Sequence, residues 1–266
     1  MTRWEPLQGL GVDGLRRRHV LVVGLGSGGS TVALELAKAG VGRLTLIDPD
    51  RLEEANVVRH ECDDRYLGWH KTAAVADLIA FRNPDATVDV VSSDAFSLGA
   101  RLTELVAGAD LVAACTDVEP PKLLLNRLCL QAGVPAVYGG VYARGVGGEV
   151  VRCDGGPGDP CYACVMSVLK DSTPAPPAEE PDYGVEPTDA SVAALGLDVR
   201  LVALVHAKVC LHAVLGEQEA LAGNVVLFGT ARVDGLFPRA FASAVADVSP
   251  QDDCLICRPL RDLVAA

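Results

Sequence analysis

HVLVVGLGSGG, residues 19–29, joins a short apolar run directly to a glycine-rich loop. The run Val20–Val23 has no polar interruption, which is typical of a strand buried on both faces of a parallel sheet. The loop supplies four glycines, Gly24, Gly26, Gly28 and Gly29. Their spacing suits a tight turn, close approach of the backbone to a phosphate, and packing of a helix on the strand. The stretch therefore predicts a nucleotide-binding loop at the start of a helix.

The next residues continue the pattern of strand, helix and strand. Thr31–Ala39 has helical composition and stops at Gly40, and Leu44–Ile47 forms a second short apolar run. Together these segments make a βαβ unit of about thirty residues. Asp48 closes the second strand, where an acid accepts hydrogen bonds from ribose hydroxyls.

Strands and helices keep alternating further along the chain. We predict helices over residues 71–82 and 122–132, and strands over residues 87–91, 109–115 and 134–138. A largely apolar helix, Asp198–Leu215, and a final strand pair, Val225–Phe228 and Thr230–Leu236, follow in the second half. This order predicts an α/β fold with a Rossmann-like, doubly wound, mostly parallel sheet and an antiparallel C-terminal part.

Composition and charge exclude several classes of protein. The chain has 266 residues, a net charge of −12 and 50% hydrophobic residues, so it is neither disordered nor equipped with an extended basic surface for nucleic acid. Its first residues lack the pattern of a signal peptide, and no stretch approaches the roughly 18–20 apolar residues that span a bilayer. We expect a cytoplasmic protein with no membrane partner.

Two pairs of cysteines have the spacing of metal ligands. The pairs are Cys161-x-x-Cys164 and Cys254-x-x-Cys257 among nine cysteines in all. Four thiolates in two chelating pairs suit a closed, tetrahedral structural zinc site, which we favour over redox pairs or core cysteines.

The stretch after the second strand distinguishes between kinds of nucleotide-binding protein. Residues 48–60 read DPDRLEEANVVRH, and residues 69–71 read WHK. With the glycine loop, Cys115-Thr116-Asp117, the glycine-rich segment 139–148 and both cysteine pairs, this pattern resembles the ThiF/MoeB/HesA family, which is related to ubiquitin-activating enzymes. The alternative is an NAD-dependent oxidoreductase, which leaves Arg59, Lys71 and Asp117 unexplained.

The resemblance implies an ATP-dependent adenylyltransferase. Its substrate would be the C-terminal carboxylate of a small ubiquitin-like or sulfur-carrier protein ending in Gly-Gly. A peptide, an amino acid or threonylcarbamoyl-adenosine on tRNA stays open as substrate, although the negative charge disfavours tRNA. A binding module that has lost catalysis is a further alternative.

The resemblance also assigns roles to individual residues. Asn56 and Arg59 would contact the phosphate chain, and Lys71 would stabilise the α-phosphate during attack. Asp117 would help hold Mg²⁺, and Asp48 and Asp50 would hold the ribose. The catalytic set is thus Arg59, Lys71 and Asp117.

The remaining implications concern partners and organisation. We expect a homodimer and a single adenylation domain, with residues 1–150 as the nucleotide-binding half. Residues 151–266 would carry the zinc site, an exposed and mobile crossover loop at Ser172–Thr188, and the dimer and substrate surfaces. Some relatives place an arginine of one subunit in the other subunit's site, and Arg3 is the only weak match here.

The chain departs from its relatives in two ways that affect chemistry. The loop between residues 170 and 190 holds no cysteine, so we expect adenylation without a self-thioester, and Cys62 and Cys153 are the only plausible thioester nucleophiles. Cys115, Cys129 and Cys210 fall on apolar stretches and are expected to be packed. Lys122 stands where relatives often have an arginine, which predicts that a phosphate contact from that helix is weaker or absent.

Overall fold

A computed structural model describes residues 4–5, 12–156, 158–172 and 194–265 of the chain. Its strands are β1 His19–Val23, β2 Arg43–Ile47, β3 Thr87–Val91, β4 Leu111–Ala114, β5 Ala136–Val141, β6 Gly147–Cys153, β7 Val225–Gly229 and β8 Ser243–Ala246. Its α-helices are α1 Ser27–Ala39, α2 Glu54–Val57, α3 Lys71–Arg82, α4 Ala100–Ala107, α5 Glu119–Ala132, α6 Tyr162–Ser172, α7 Gly196–Leu215 and α8 Arg258–Ala265.

The eight strands form one sheet in the order β3-β2-β1-β4-β5-β6-β7-β8. The first five in this order are parallel, with Val22 of β1 paired to Leu46 of β2 and to Ala113 of β4. From β5 to β8 every pairing is antiparallel. The predicted α/β fold with a parallel sheet and an antiparallel C-terminal part is confirmed. Since the strand order reverses between β1 and β4, a crevice for a ligand is expected at the carboxyl ends of these strands.

Helices cover the two faces of the sheet. Val20 and Val22 of β1 join a core with residues of α1, α3 and α7, whereas Leu21 and Val23 join a second core with residues of α4, α5 and α6. Successive side chains of a strand point to opposite faces, so an uninterrupted apolar run supplies both cores. This is why β1 could be recognised from sequence.

The end of the sheet differs from the sequence prediction. Thr230–Leu236 does not form a strand, and the last strand is β8, at Ser243–Ala246. The chain turns instead at Gly235, whose φ is +79°, and the Phe237 ring packs over Gly229. A glycine with positive φ interrupts an extended strand, and the alternation of apolar residues concealed this turn.

Some predictions fall on parts of the chain that the structure does not describe. Arg3 and residues 173–188 of the predicted crossover loop lie outside the described residues. Within the described residues, no helix combines the length and the apolar character needed to cross a membrane.

Gly29, in the first turn of α1, occupies a position where a side chain does not fit. A Cβ there would collide with the carbonyl oxygen of Gly24 and lie 2.9 Å from Cys115 Cβ. Gly29→Ala should therefore lower the free energy of unfolding by about 2 kcal/mol. Gly28→Ala is the matched control, since its Cβ would meet only Ala203 Cβ, at 4.0 Å. It should raise stability by up to about 1 kcal/mol, the helix preference for alanine. Urea unfolding measures both, and equal effects would contradict this packing.

Candidate active site

A cleft of about 740 Å³ lies at the carboxyl ends of the central parallel strands. It is lined by nine of the ten nucleotide-site and catalytic residues predicted from sequence: Gly24, Gly26, Gly28, Asp48, Asp50, Asn56, Arg59, Lys71 and Asp117. The exception is Gly29, which is buried beneath the loop and packs against Gly24. The fold thus brings together residues that span almost a hundred positions of sequence.

The glycine loop presents backbone amides to this cleft. Gly24 has a φ of +91°, and a Cβ at this position would lie 2.8 Å from the backbone of Cys115. Gly26 is the N-cap of α1 and offers no side chain to cap the helix. The amides of the first turn therefore stay available to a bound anion, which the helix dipole also favours.

Asp48 fixes the shape of the loop from the end of β2. Its Oδ2 accepts a hydrogen bond from Leu25 N at 2.6 Å, and its Oδ1 accepts one from Asp50 N at 2.8 Å. Burial raises the pKa of this carboxyl, and the two amides and the charge of Lys71 oppose that rise. Each oxygen keeps a second lone pair, so the side chain can also accept a bond from a ligand hydroxyl.

Lys71, the first residue of α3, carries a positive charge into the cleft. The residue is only 8% exposed, and Nζ donates to Asp50 Oδ2 at 2.7 Å. Backbone contacts reinforce this arrangement, because Lys71 N donates to Asp50 O at 3.0 Å. Asp50 was predicted to hold a ribose; its observed contact positions Lys71, and the ribose contact stays a prediction.

The segment that carries Asn56 and Arg59 is tied to the glycine loop. Asn56 Oδ1 accepts from Glu53 N at 3.1 Å and caps the short helix α2. His60 then packs beneath the loop: Cys62 N donates to Nδ1 at 3.0 Å, so Nε2 carries the proton and donates to Leu25 O at 2.7 Å. Burial lowers the pKa of His60, so the imidazole is neutral. Its two hydrogen bonds connect the glycine loop to the segment that carries Asn56 and Arg59.

The side of the cleft next to β4 and β5 holds further polar groups, only some of which were predicted from sequence. Asp117 follows β4 and is exposed to solvent. Beyond it the cleft is lined by Lys122, Glu149, Tyr142 and His206, from three separate parts of the chain. Its spacing of five residues from Asp117 identified Lys122 as a candidate site residue. No sequence motif identified Glu149 or His206 as residues of the cleft.

Four cysteines converge on the other side of the fold. Sγ–Sγ distances are 3.8 Å for Cys161–Cys164, 3.7 Å for Cys161–Cys254 and 3.4 Å for Cys164–Cys257, and all four sulfurs lie within 4.8 Å of one another. Zinc–sulfur bonds of about 2.3 Å in a tetrahedron require sulfurs about 3.8 Å apart. A disulfide would need about 2.05 Å. The predicted pairing of the two motifs is confirmed, and the donor set fits zinc.

Comparisons with known proteins agree with this geometry. A family model described as "ThiF family" matches residues 2–248. The chain is 32% identical over 212 residues to the SAMP-activating enzyme E1 of Haloferax volcanii, covering 79% of this chain and 72% of that protein. The chain belongs to the ThiF family. The resemblance inferred from its motifs is confirmed.

Two further relatives are named as adenylyltransferases. The Escherichia coli molybdopterin-synthase adenylyltransferase is 36% identical over 167 residues, covering 61% of this chain and 66% of that protein. The Sus scrofa adenylyltransferase and sulfurtransferase MOCS3 is 33% identical over 242 residues, covering 90% of this chain and 49% of that protein. The chain therefore spans about two thirds of the first and half of the second. The predicted enzyme class, an adenylyltransferase of the ubiquitin-activating type, is confirmed by the family and these names.

Solved structures show the same fold. A crystal structure of E. coli MccB with succinimide matches with a TM-score of 0.70 at 18% identity, covering 97% of this chain and 74% of that chain. A structure of MccB with ATP matches with a TM-score of 0.67 at 19% identity, covering 93% of this chain and 69% of that chain. At this identity the likeness concerns the fold alone.

Outside the cluster of four cysteines, the cysteines of this ThiF-family chain are poor nucleophiles. Cys62 and Cys153, the two thioester candidates, are both buried, and burial raises the pKa of Cys62 to about 12 and that of Cys153 well above its usual range. Cys129 and Cys210 are packed as expected, but Cys115 is only partly buried and lines the cleft. A thiol must ionise to act as nucleophile, so these environments disfavour a self-thioester.

His206 makes stability depend on pH. Burial lowers its pKa to about 4; its Nε2 donates to Val137 O at 3.1 Å. The unfolded chain, with a histidine pKa of about 6.5, then binds more protons, so this contribution is complete above that pH and is lost as pH falls towards 4. At pH 5 the loss is about 2 kcal/mol. His206→Gln should reduce the stability difference between neutral pH and pH 5 by this amount in urea titrations. An unchanged difference would contradict a neutral His206.

Proposed function

We propose that this protein uses ATP to adenylate the C-terminal carboxylate of a small ubiquitin-like or sulfur-carrier protein whose chain ends in Gly-Gly. The observation that carries the proposal is the buried Lys71, held by Asp50 beside an uncapped glycine loop in one cleft with Arg59. The relatives are named as activators of SAMP and as molybdopterin-synthase adenylyltransferases, which supports a carrier protein as substrate. A Gly-Gly end suits a narrow cleft because glycine has no side chain.

The reaction joins two anions, which repel each other, and the positive charges in the cleft reduce this repulsion. A carboxylate oxygen attacks the α-phosphorus of ATP, the bond from that phosphorus to the bridging oxygen breaks, and pyrophosphate leaves with its electrons. Negative charge accumulates on the phosphates, and fixed cations that are already in position lower the barrier. We assign this role to Lys71 and Arg59, with Asn56 as a further phosphate contact and Asp48 and Asp50 on the ribose side.

Mg²⁺ is part of the proposal through Asp117. This exposed carboxylate lies in the cleft after β4, and carboxylate oxygens are preferred magnesium ligands. When bound with ATP, the ion neutralises charge on the phosphates.

Zn²⁺ is proposed for the four-cysteine cluster, in a structural role. Its sulfurs fit a tetrahedral ion, and Cys164 Sγ also accepts a hydrogen bond from Gln251 N at 3.4 Å. None of these four cysteines lines the cleft. The ion would tie α6 to the chain just before α8.

Three further features stay proposals. They are a homodimer, a cytoplasmic location, and a single adenylation domain with residues 1–150 as its nucleotide-binding half and residues 151–266 as the other half. One sheet runs through both halves, with β6 crossing the boundary between them.

ATP–pyrophosphate exchange tests the proposed function. Purified protein, Mg-ATP and labelled pyrophosphate are combined in turn with Gly-Gly-ended carrier proteins, unrelated proteins, amino acids and tRNA. Exchange that requires a Gly-Gly-ended carrier is expected. Exchange driven by an amino acid or by tRNA would replace the proposed substrate with the one that works. No exchange with any of them would overturn adenylation.

A further inference from the structure

The cleft contains a second buried lysine. Lys122, in the first turn of α5, is 3% exposed, and it and Lys71 are the two buried lysines of the described residues. Lys71 has Asp50 as a partner, whereas no carboxylate of the described residues lies within ion-pair distance of Lys122 Nζ. Its Nζ lies 5.9 Å from the centre of the Tyr162 ring. A buried ammonium is costly without a counter-ion, so an anion bound in the cleft would find a receptor here.

None of the described groups around Lys122 forms an ion pair with it. Burial raises the pKa of Glu149 and that of Cys115, and the positive charge of Lys122 opposes both rises. The Glu149 carboxylate packs against the backbone of Gly140. His206 is neutral near pH 7, because burial lowers its pKa to about 4. A second acid of the cleft, Glu119, accepts a hydrogen bond from Tyr162 Oη at 2.9 Å. Neither Glu149 nor Glu119 lies in ion-pair contact with Lys122 Nζ.

The two lysines stand on opposite sides of the glycine loop. Lys71 begins α3, on the side of β2, and Lys122 follows β4; β1, which leads into the loop, lies between these two strands in the sheet. Adjacent strands are about 4.8 Å apart, so the strands on which the lysines depend are separated by about 10 Å. Lys71 acts on the pKa values of Asp48 and His60, while Lys122 acts on those of Glu149 and His206. The cleft has two distinct positive centres.

Two positive centres match a reaction that brings together two anions. We propose that Lys122 binds the carboxylate that is to be adenylated, while Lys71 and Arg59 serve the phosphates. The inference rests on the proposed function and names the residue that orients the second reactant. Lys122 lines the cleft with Gly139 and Gly140, and the side chains of His206 and Glu149 pack directly against the backbone of these two glycines. A fixed cation on each reactant reduces their repulsion and holds them in place for attack.

The test determines whether Lys122 binds a phosphate oxygen of the nucleotide or the C-terminal carboxylate of the carrier. Lys122→Met keeps the length of the side chain and removes its charge, and Lys38→Met, at an exposed position of α1, is the matched control. ATP affinity is measured alone by equilibrium dialysis with Mg-ATP. Carrier affinity is measured in the presence of a non-hydrolysable ATP analogue, with a Gly-Gly-ended carrier and with the same carrier as its C-terminal amide.

The wild-type protein and Lys38→Met should bind the acid more tightly than the amide. Lys122→Met should lose this preference and bind the acid about ten- to a hundredfold more weakly, the contribution of a charge-assisted hydrogen bond, with unchanged ATP affinity. Weakened ATP binding with a retained preference for the acid would assign Lys122 to a phosphate and overturn the inference. Unchanged binding of both ligands would also overturn it. If none of the carriers supported pyrophosphate exchange by the wild-type protein, the proposed function would fail, and the inference would fail with it.

Discussion

Lys71→Ala should reduce the kcat/KM of carrier-dependent ATP–pyrophosphate exchange by about 10²–10³-fold, the usual cost of removing one preorganised group that stabilises transition-state charge. The lysine is buried at the cleft and held by Asp50 at 2.7 Å, so its charge is already in position before the reaction. Because Asp50 is itself exposed, it stays solvated when its partner is removed. The effect should therefore appear in catalysis rather than in folding.

The control for this experiment is Lys38→Ala. Lys38 pairs with Glu35 on the exposed surface of α1 and lies outside the cleft. The Lys38→Ala variant should exchange pyrophosphate as the wild type does. Circular dichroism and thermal melting check that both variants fold. If Lys71→Ala kept more than about a tenth of wild-type exchange while folded, the lysine would not supply the transition-state stabilisation assigned to it.

Loss of the cysteine cluster should have the second large effect, on stability. Cys164→Ser removes one of four clustered sulfurs, and we expect bound zinc to fall from one ion per chain to a small fraction. The free energy of unfolding should drop by about 5 kcal/mol, less than the 10–16 kcal/mol for isolated zinc fingers because the rest of the fold has its own core. Atomic absorption measures the metal, and urea unfolding measures the stability.

Cys129→Ala provides the control for the metal. Cys129 is a buried core residue of α5 outside the cluster, so its loss should cost only about 1 kcal/mol and leave the zinc content unchanged. Because the four cluster cysteines do not line the cleft, folded Cys164→Ser at low temperature should retain exchange activity. Full stability of metal-free protein would contradict a structural zinc ion.

The sequence predicted the parts of the fold that depend on local pattern. The strand β1 and the loop after it were readable because an uninterrupted apolar run and a set of glycines each have few structural alternatives. The last strand was not, since β8 is Ser-Ala-Val-Ala with all four residues exposed and offers no alternation of buried and exposed positions. In its place, the apolar spacing of residues 230–236 suggested a strand that Gly235 prevents.

The same distinction applies to the cleft. Asp48, Asn56, Arg59 and Lys71 lie within 24 consecutive residues, so one motif identified them together. Lys122, Glu149 and His206 come from α5, β6 and α7, and meet only because the sheet order places these elements around one crevice. Their burial is a property of the folded chain, and no local sequence pattern shows it.

The most direct test of the central claim uses ATP labelled at the α-phosphate. Purified protein, Mg²⁺ and a Gly-Gly-ended carrier are incubated with this nucleotide, and the carrier is separated and analysed by intact mass and by label. We predict that the carrier gains one AMP group with release of pyrophosphate, and that a carrier with a C-terminal amide gains none. Release of ADP and phosphate with an unlabelled carrier would contradict adenylation of the carrier's carboxylate.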